Sequence, residues 1–219
     1  ADQVGLLWGV QHTPYAVGHV PHITAWLLAA MVVAGAVFGW AGKLFADGTH
    51  GLSHVMKKHI AYAPLRPFIG GVVIAALVMW GDFDRYIGLG IPVMVEAFAH
   101  PLAPTDFLGK ALFTIASLGT GFKGGEVTPL FYIGATLGNA LAPLLDVPFA
   151  LLAAVGFVAV FAGAANTPIA STLMAMELFG AEMGVFAALA CVMSYVCSGH
   201  SGIYRAQRVA HRKTDAPSS

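Results

Sequence analysis

The sequence predicts an all-α integral membrane protein, and three observations carry that fold class. Of the 219 residues, 58% are hydrophobic and only 10% charged, against roughly a quarter charged in a soluble globular domain. No Asp, Glu, Lys or Arg occurs from Gln3 to Gly42, and Ile23 to Gly42 alone matches the about 20 helical residues that cross a hydrocarbon core. Later apolar runs are broken by glycine and proline, or are too short to span alone. Eleven Lys and Arg offset eleven Asp and Glu, so no basic field points to nucleic acid as a partner. A disordered chain and a secreted disulfide scaffold are excluded by the same composition. Cys191 and Cys197 lie in an apolar stretch and read as small core residues.

The first span continues in a partly helical pattern through Lys43, His50, His54 and Lys57 to His59, so one long tilted helix is expected, although Gly48 and Gly51 weaken it. His50 and His54 have metal-ligand spacing. No third ligand lies nearby, which favours an interfacial helix face. Pro64 and Pro67 force a turn. Phe68 to Trp80 is closed by Asp82, Asp84 and Arg85, and Leu89 to His100 is shorter still. Phe107 to Phe122 is interrupted by Lys110, ends in Gly119, Gly121, Gly124 and Gly125, and leads directly into Val127 to Leu145. Broken helices are tolerated at membrane depth only where the backbone is buried in protein or lines a cavity, which points to a transport pathway.

Val147 to Met176 carries no charge, yet Asn166, Thr167 and Pro168 divide it into two helices. Thr167 is the natural N-cap and Pro168 the first helical residue. Glu177 and Glu182 precede a last apolar run, Met183 to Cys197. Glu177 is costly against lipid and is expected to accept hydrogen bonds inside the protein. Beyond Gly199 the chain turns basic through Arg205, Arg208, Arg212 and Lys213. The positive-inside bias puts this end in the cytoplasm, with the turn holding Lys57, Lys58 and Arg66. Residues 1–213 are expected to form the transmembrane unit and 214–219 a disordered cytoplasmic tail. Three GxxxG pairs, Gly35/Gly39, Gly121/Gly125 and Gly134/Gly138, predict close helix contacts. No signal peptide is visible, and a chain opening on Ala1 is expected to be a piece of something longer.

The stretch richest in chemistry is Gly121 to Gly138, GFKGGEVTPLFYIGATLG. Its glycines lead into Thr128 and Pro129, read as an N-cap followed by the first helical residue. The result is a row of backbone amides at the positive end of a helix dipole, an anion site that needs no permanent charge. An ordinary capped helix start fits the same residues.

The run Gly124 to Pro129 resembles the GxFxP anion-binding segment of the CLC family of chloride channels and chloride/proton antiporters. Two further stretches agree in order and spacing. FAGAANTPIASTLMAMELFG, Phe161 to Gly180, is similar to a family segment whose Glu falls on Glu177. SGHSGIYRAQRV, Ser198 to Val209, resembles the last CLC helix, whose tyrosine hydroxyl holds the central anion, and Tyr204 matches that tyrosine. Glu126, Val127 and Thr128 replace the usual Ile-Phe-Ala, and GGEVTP looks like the fluoride/proton antiporters of bacteria. Fluoride is small and strongly hydrated, so dehydrating it calls for strong donors, and Thr128 offers a hydroxyl where other members offer none.

The resemblance implies a CLC-type fold with broken and re-entrant helices, of which this chain is the second half of the inverted repeat. Its anion-binding residues would be Gly125, Glu126, Val127, Thr128 and Tyr204, and its function fluoride export coupled to proton import across a bacterial inner membrane. A chloride channel or chloride/proton exchanger of the same fold is the nearest alternative, and a non-transporting membrane assembly module the rival of another class. Glu126 is read either as a proton-passing acid or as a solvated vestibule residue, and Lys123 either as an anion concentrator or as an interfacial charge. The family's GSGIP-like and GREGP-like segments, the second carrying an external gating glutamate, do not occur here. The implied partners are the N-terminal half, a second copy in a homodimer whose contact uses Pro168 to Phe179 and Met183 to Cys197, lipid, protons and a halide. No catalytic nucleophile and base pair, metal cluster or cofactor motif emerges, so an enzyme is not expected.

Overall fold

The computed structural model describes residues 20–199 except Asp82, together with Trp8, Tyr15, Val17, Gly18, Gly202, Ile203, Tyr204 and Gln207. The basic run from Arg205 and the expected disordered tail 214–219 lie outside these residues. The described residues form eight α-helices and no strand: α1 Ala25–His59, α2 Leu65–Trp80, α3 Ile91–Ala99, α4 Asp106–Thr120, α5 Val127–Leu145, α6 Phe149–Ala165, α7 Pro168–Phe179 and α8 Gly184–Cys197. Short 3-10 turns, Asp84–Tyr86 and Ala181–Met183, stand before α3 and α8. Only α1 and α5 are long and apolar enough to cross a bilayer by themselves.

Helix α1 starts where the Thr24 hydroxyl accepts the Leu27 N–H at 3.2 Å and runs unbroken through Gly48 and Gly51 for 35 residues. At 1.5 Å per residue that is about 52 Å, well beyond the ~30 Å hydrocarbon core, so α1 tilts or protrudes. Gly48 is no break because its bare backbone accommodates the Ile115 side chain of α4, whose Cδ1 lies 3.0 Å from where a Cβ would sit.

The core lies around α6, which is apolar on every side and buried nearly throughout. Glycine makes its contact with α5. A Cβ on Gly134 would overlap the Gly156 carbonyl, and one on Gly138 the Leu152 carbonyl. Gly35 and Gly39 do the same for α1 against α8, where a Cβ would lie 2.8 Å from the Ala190 carbonyl and 2.5 Å from that of Ser194. In turn, Ser194 donates its hydroxyl to the Ala159 carbonyl at 2.6 Å, tying α8 to α6.

Two of the three GxxxG pairs therefore pack helices, and the third does not. Gly121 ends α4 with φ +107°, and a Cβ on Gly125 would meet nothing within 4 Å. Once α4 stops at Thr120 there is no helical face for this pair to present.

Asn166, in the left-handed region at φ 57°, ends α6, and α7 opens with Pro168 as its first residue. The Thr167 hydroxyl stands 3.4 Å from that of Ser171 and caps no amide. Cys191 is buried, and both cysteines are free thiols. Glu177 departs from expectation: it is exposed. Helix α7 buries only Ser171 and Ala175, and two residues beyond Ala175 a side chain points about 200° round the helix, away from that contact.

Candidate anion site at the start of helix α5

Helix α4 closes at Gly121, whose N–H bonds the Leu118 and Ser117 carbonyls. The linker Phe122 to Gly125 is exposed, and α5 begins at Val127 with Glu126 in the cap position. The helix thus starts two residues earlier than the sequence suggests. Thr128 lies inside the first turn, not at the cap, and Pro129 is the third helical residue. The Glu126 carbonyl already accepts the Leu130 N–H at 3.3 Å, and proline is tolerated there because first-turn amides have no intrahelical partner anyway.

This shift changes what the side chains can do. Neither Glu126 nor Thr128 caps the helix, and among the described residues neither side chain makes a hydrogen bond or ion pair. The amides of Val127 and Thr128 belong to the unpartnered first turn. They form the positive end of a 19-residue helix, and a Cβ on the neighbouring Gly125 would meet nothing within 4 Å.

Two cavities flank this helix start. One, of about 330 Å³, is lined by Gly124, Gly125 and Pro129 and by Lys110, Tyr86 and Gly88. The second, of about 270 Å³, is lined by Thr49, His50 and Ser53 of α1, by Lys123 and Glu126 of the linker, and by Ile203. Tyr204 is the next residue after Ile203, so its segment reaches the wall of the Glu126 cavity, while its own side chain is 45% exposed and does not line it. The Ile203 N–H holds this segment by donating to the Ala164 carbonyl at 2.9 Å. Among the described residues the Tyr204 hydroxyl makes no hydrogen bond.

A buried charged network beside the first cavity was not visible as such in the sequence. Lys110, only 2% exposed, donates to the Tyr86 carbonyl at 3.0 Å and the Gly88 carbonyl at 2.7 Å, with Nζ 5.0 Å from the Tyr132 ring centroid. Asp106, one turn earlier, pairs with Arg85 at 2.8 Å and accepts the Tyr86 hydroxyl at 3.0 Å. Burial first, and then the Asp106 hydrogen bond, pushes the Tyr86 phenol above its ordinary range, so it remains a donor. The Asp106/Lys110 spacing of four was the available signal, since it puts both on one helix face. Among the described residues no group of three His, Cys, Asp or Glu side chains could hold a metal.

A family model described as voltage gated chloride channel matches residues 1–199. A chloride/fluoride channel protein of Pseudomonas syringae pv. tomato is 61% identical over 224 residues, covering 99% of this chain and 49% of its own length. A voltage-gated ClC-type chloride channel of Salmonella typhimurium is 30% identical over 169 residues, covering 68% of this chain and 39% of that protein. Among solved structures, the crystal structure of a CLC-type fluoride/proton antiporter matches with TM-score 0.88 and 31% identity over 93% of this chain and 52% of that one. The chain spans about half the length of the relatives it matches most fully. From the helix order, the glycine-led start of α5 and a family match over residues 1–199, it follows that this chain belongs to the voltage gated chloride channel, or CLC, family.

Proposed function

We propose that the chain is the C-terminal half of a fluoride exporter that couples efflux to proton import across a bacterial inner membrane, with its C-terminal end cytoplasmic. The observation that carries this reading is the start of α5: unpartnered amides, open space over Gly125 and a Thr128 hydroxyl with no partner among the described residues. A small anion takes its ligands from such groups without a fixed cation. Gly125, Glu126, Val127 and Thr128 form this chain's share of the anion site, with Tyr204 closing it when the N-terminal half is present. Residues 1–213 make up the transmembrane unit. The names borne by the relatives, a chloride/fluoride channel protein and a fluoride/proton antiporter, support a halide as cargo.

The complete transporter forms a homodimer in the membrane and has no enzymatic activity. An apolar surface suited to that contact runs along α7 and α8, where Ile169, Leu173, Val185 and Val192 are exposed. The test is halide efflux from liposomes loaded with fluoride or chloride, followed with an ion-selective electrode and a pH electrode. The complete transporter is expected to release fluoride faster than chloride while protons enter, and this chain alone to release neither. Chloride preference or flux without protons would replace the reading with a chloride exchanger or a channel. Coupled efflux from this chain alone would defeat the half-transporter reading.

A further inference from the structure

The cavity of about 270 Å³ beside Glu126 contains more proton-handling chemistry than anion binding requires. Three titratable side chains line it: His50 from α1, and Lys123 and Glu126 from the α4–α5 linker. Ser53 and Thr49 complete its polar wall. At about 30 Å³ per water, the volume has room for several waters between His50 and Glu126. Glu126 is half-buried and occupies the cap position, yet its side chain bonds no amide of α5. Among the described residues His50 also makes no hydrogen bond. Burial raises the Glu126 carboxyl above the ordinary carboxylate range, with the nearby His50 working in the opposite direction.

From these observations, and resting on the proton-coupled reading above, we infer that His50 is the proton-relay residue that exchanges protons with the Glu126 carboxyl across the water-filled cavity. In the forward step, imidazolium gives its N–H proton to a bridging water as that water gives one to a Glu126 oxygen, leaving neutral imidazole and a carboxylic acid. The reverse step restores imidazolium and carboxylate. Imidazole suits this because it gains and loses protons near neutrality. His54, one turn further along the same face, is exposed and continues the route towards the end of α1, where Lys57 and Lys58 stand. Lys123 is the other charge facing the cavity, and Asp47 is the nearest acid on α1 itself. Helices α6 and α8 carry no Asp, Glu, Lys, Arg or His, and the acid and base of α4, Asp106 and Lys110, lie at its far end.

The test uses the complete transporter in liposomes, with fluoride efflux and proton uptake recorded together and fluoride binding measured by calorimetry. His50→Gln keeps a polar side chain but cannot carry a proton. Proton uptake is expected to fall about tenfold or more, the range of a lost acid–base group, with fluoride binding unchanged. In His50→Gly, imidazole added to the buffer should restore uptake, which a merely structural role would not allow. Proton uptake in His50→Gln equal to wild type overturns the inference, as does a folded His50→Gly variant that imidazole leaves slow. If His50→Gln does not elute as folded protein, His50→Asn and the imidazole rescue decide. A wild-type transporter that moves halide without protons overturns both readings, whereas one that exchanges chloride for protons overturns only the fluoride assignment and leaves the same variants to test His50.

Discussion

Replacing Thr128 with valine separates an ion-contacting hydroxyl from a helix cap. The two side chains have nearly the same shape, so Thr128→Val removes one donor and leaves the half-buried volume filled. Were Thr128 the cap, the change would cost about 1 kcal/mol of stability. It is the second residue of α5 and caps nothing, so unfolding should be unaffected. A hydrogen bond to a charged partner contributes about 1.5–3 kcal/mol. At about 1.4 kcal/mol per factor of ten, its loss should slow fluoride efflux about tenfold to a hundredfold. Chloride efflux should change less, because the larger ion is less costly to strip of water. The assay is electrode-monitored efflux of each halide from liposomes holding the complete transporter, beside thermal unfolding in detergent. Unchanged fluoride efflux and halide preference would refute the assigned contact. A clear loss of thermal stability with unchanged flux would show that the hydroxyl serves the helix alone.

Two further outcomes follow from the packing. Asn139 is 3% exposed and spends its amide on three backbone groups, donating to the Ala97 carbonyl at 2.7 Å and the His100 carbonyl at 2.8 Å and accepting the Leu102 N–H at 2.9 Å. Asn139→Leu leaves all three without this partner and should destabilise the protein by about 3 kcal/mol, read as a drop in the thermal midpoint; a drop no larger than that of a surface substitution would mean that these groups find water. At the proposed dimer contact, Val185→Gln combined with Leu173→Gln puts polar groups on an exposed apolar face and should shift the complete transporter towards monomer in cross-linking and sedimentation; intact dimers would place the contact elsewhere.

Much of this protein is legible in the sequence because its determinants are local. Charge-free runs become helices, Asn166 and Pro168 punctuate α6 and α7, and Gly35/Gly39 and Gly134/Gly138 mark the two close crossings, since a missing Cβ acts wherever another backbone passes. The continuity of α1 through Gly48 and Gly51 also follows its apolar pattern. The segment Gly124 to Pro129 announces a helix start with free amides, because that property belongs to the turn itself.

What the tertiary structure alone decided depends on neighbours distant in the chain. The true first residue of α5 is fixed by where α4 stops, so Thr128 moved from the cap into the helix and Gly121/Gly125 from a packing pair to a loop. Glu177 turned outward because α7 offers only Ser171 and Ala175 to its neighbours. Lys110 reads as an interruption of an apolar run, and only the approach of Tyr86, Gly88 and Tyr132 makes it a buried, satisfied charge. Likewise His50 and Glu126 stand 76 residues apart and share a cavity only because α1 and the α4–α5 linker meet there. Periodicity and turn chemistry act within a few residues, whereas burial of a charge and convergence on a cavity are properties of surfaces that exist only once the helices have packed.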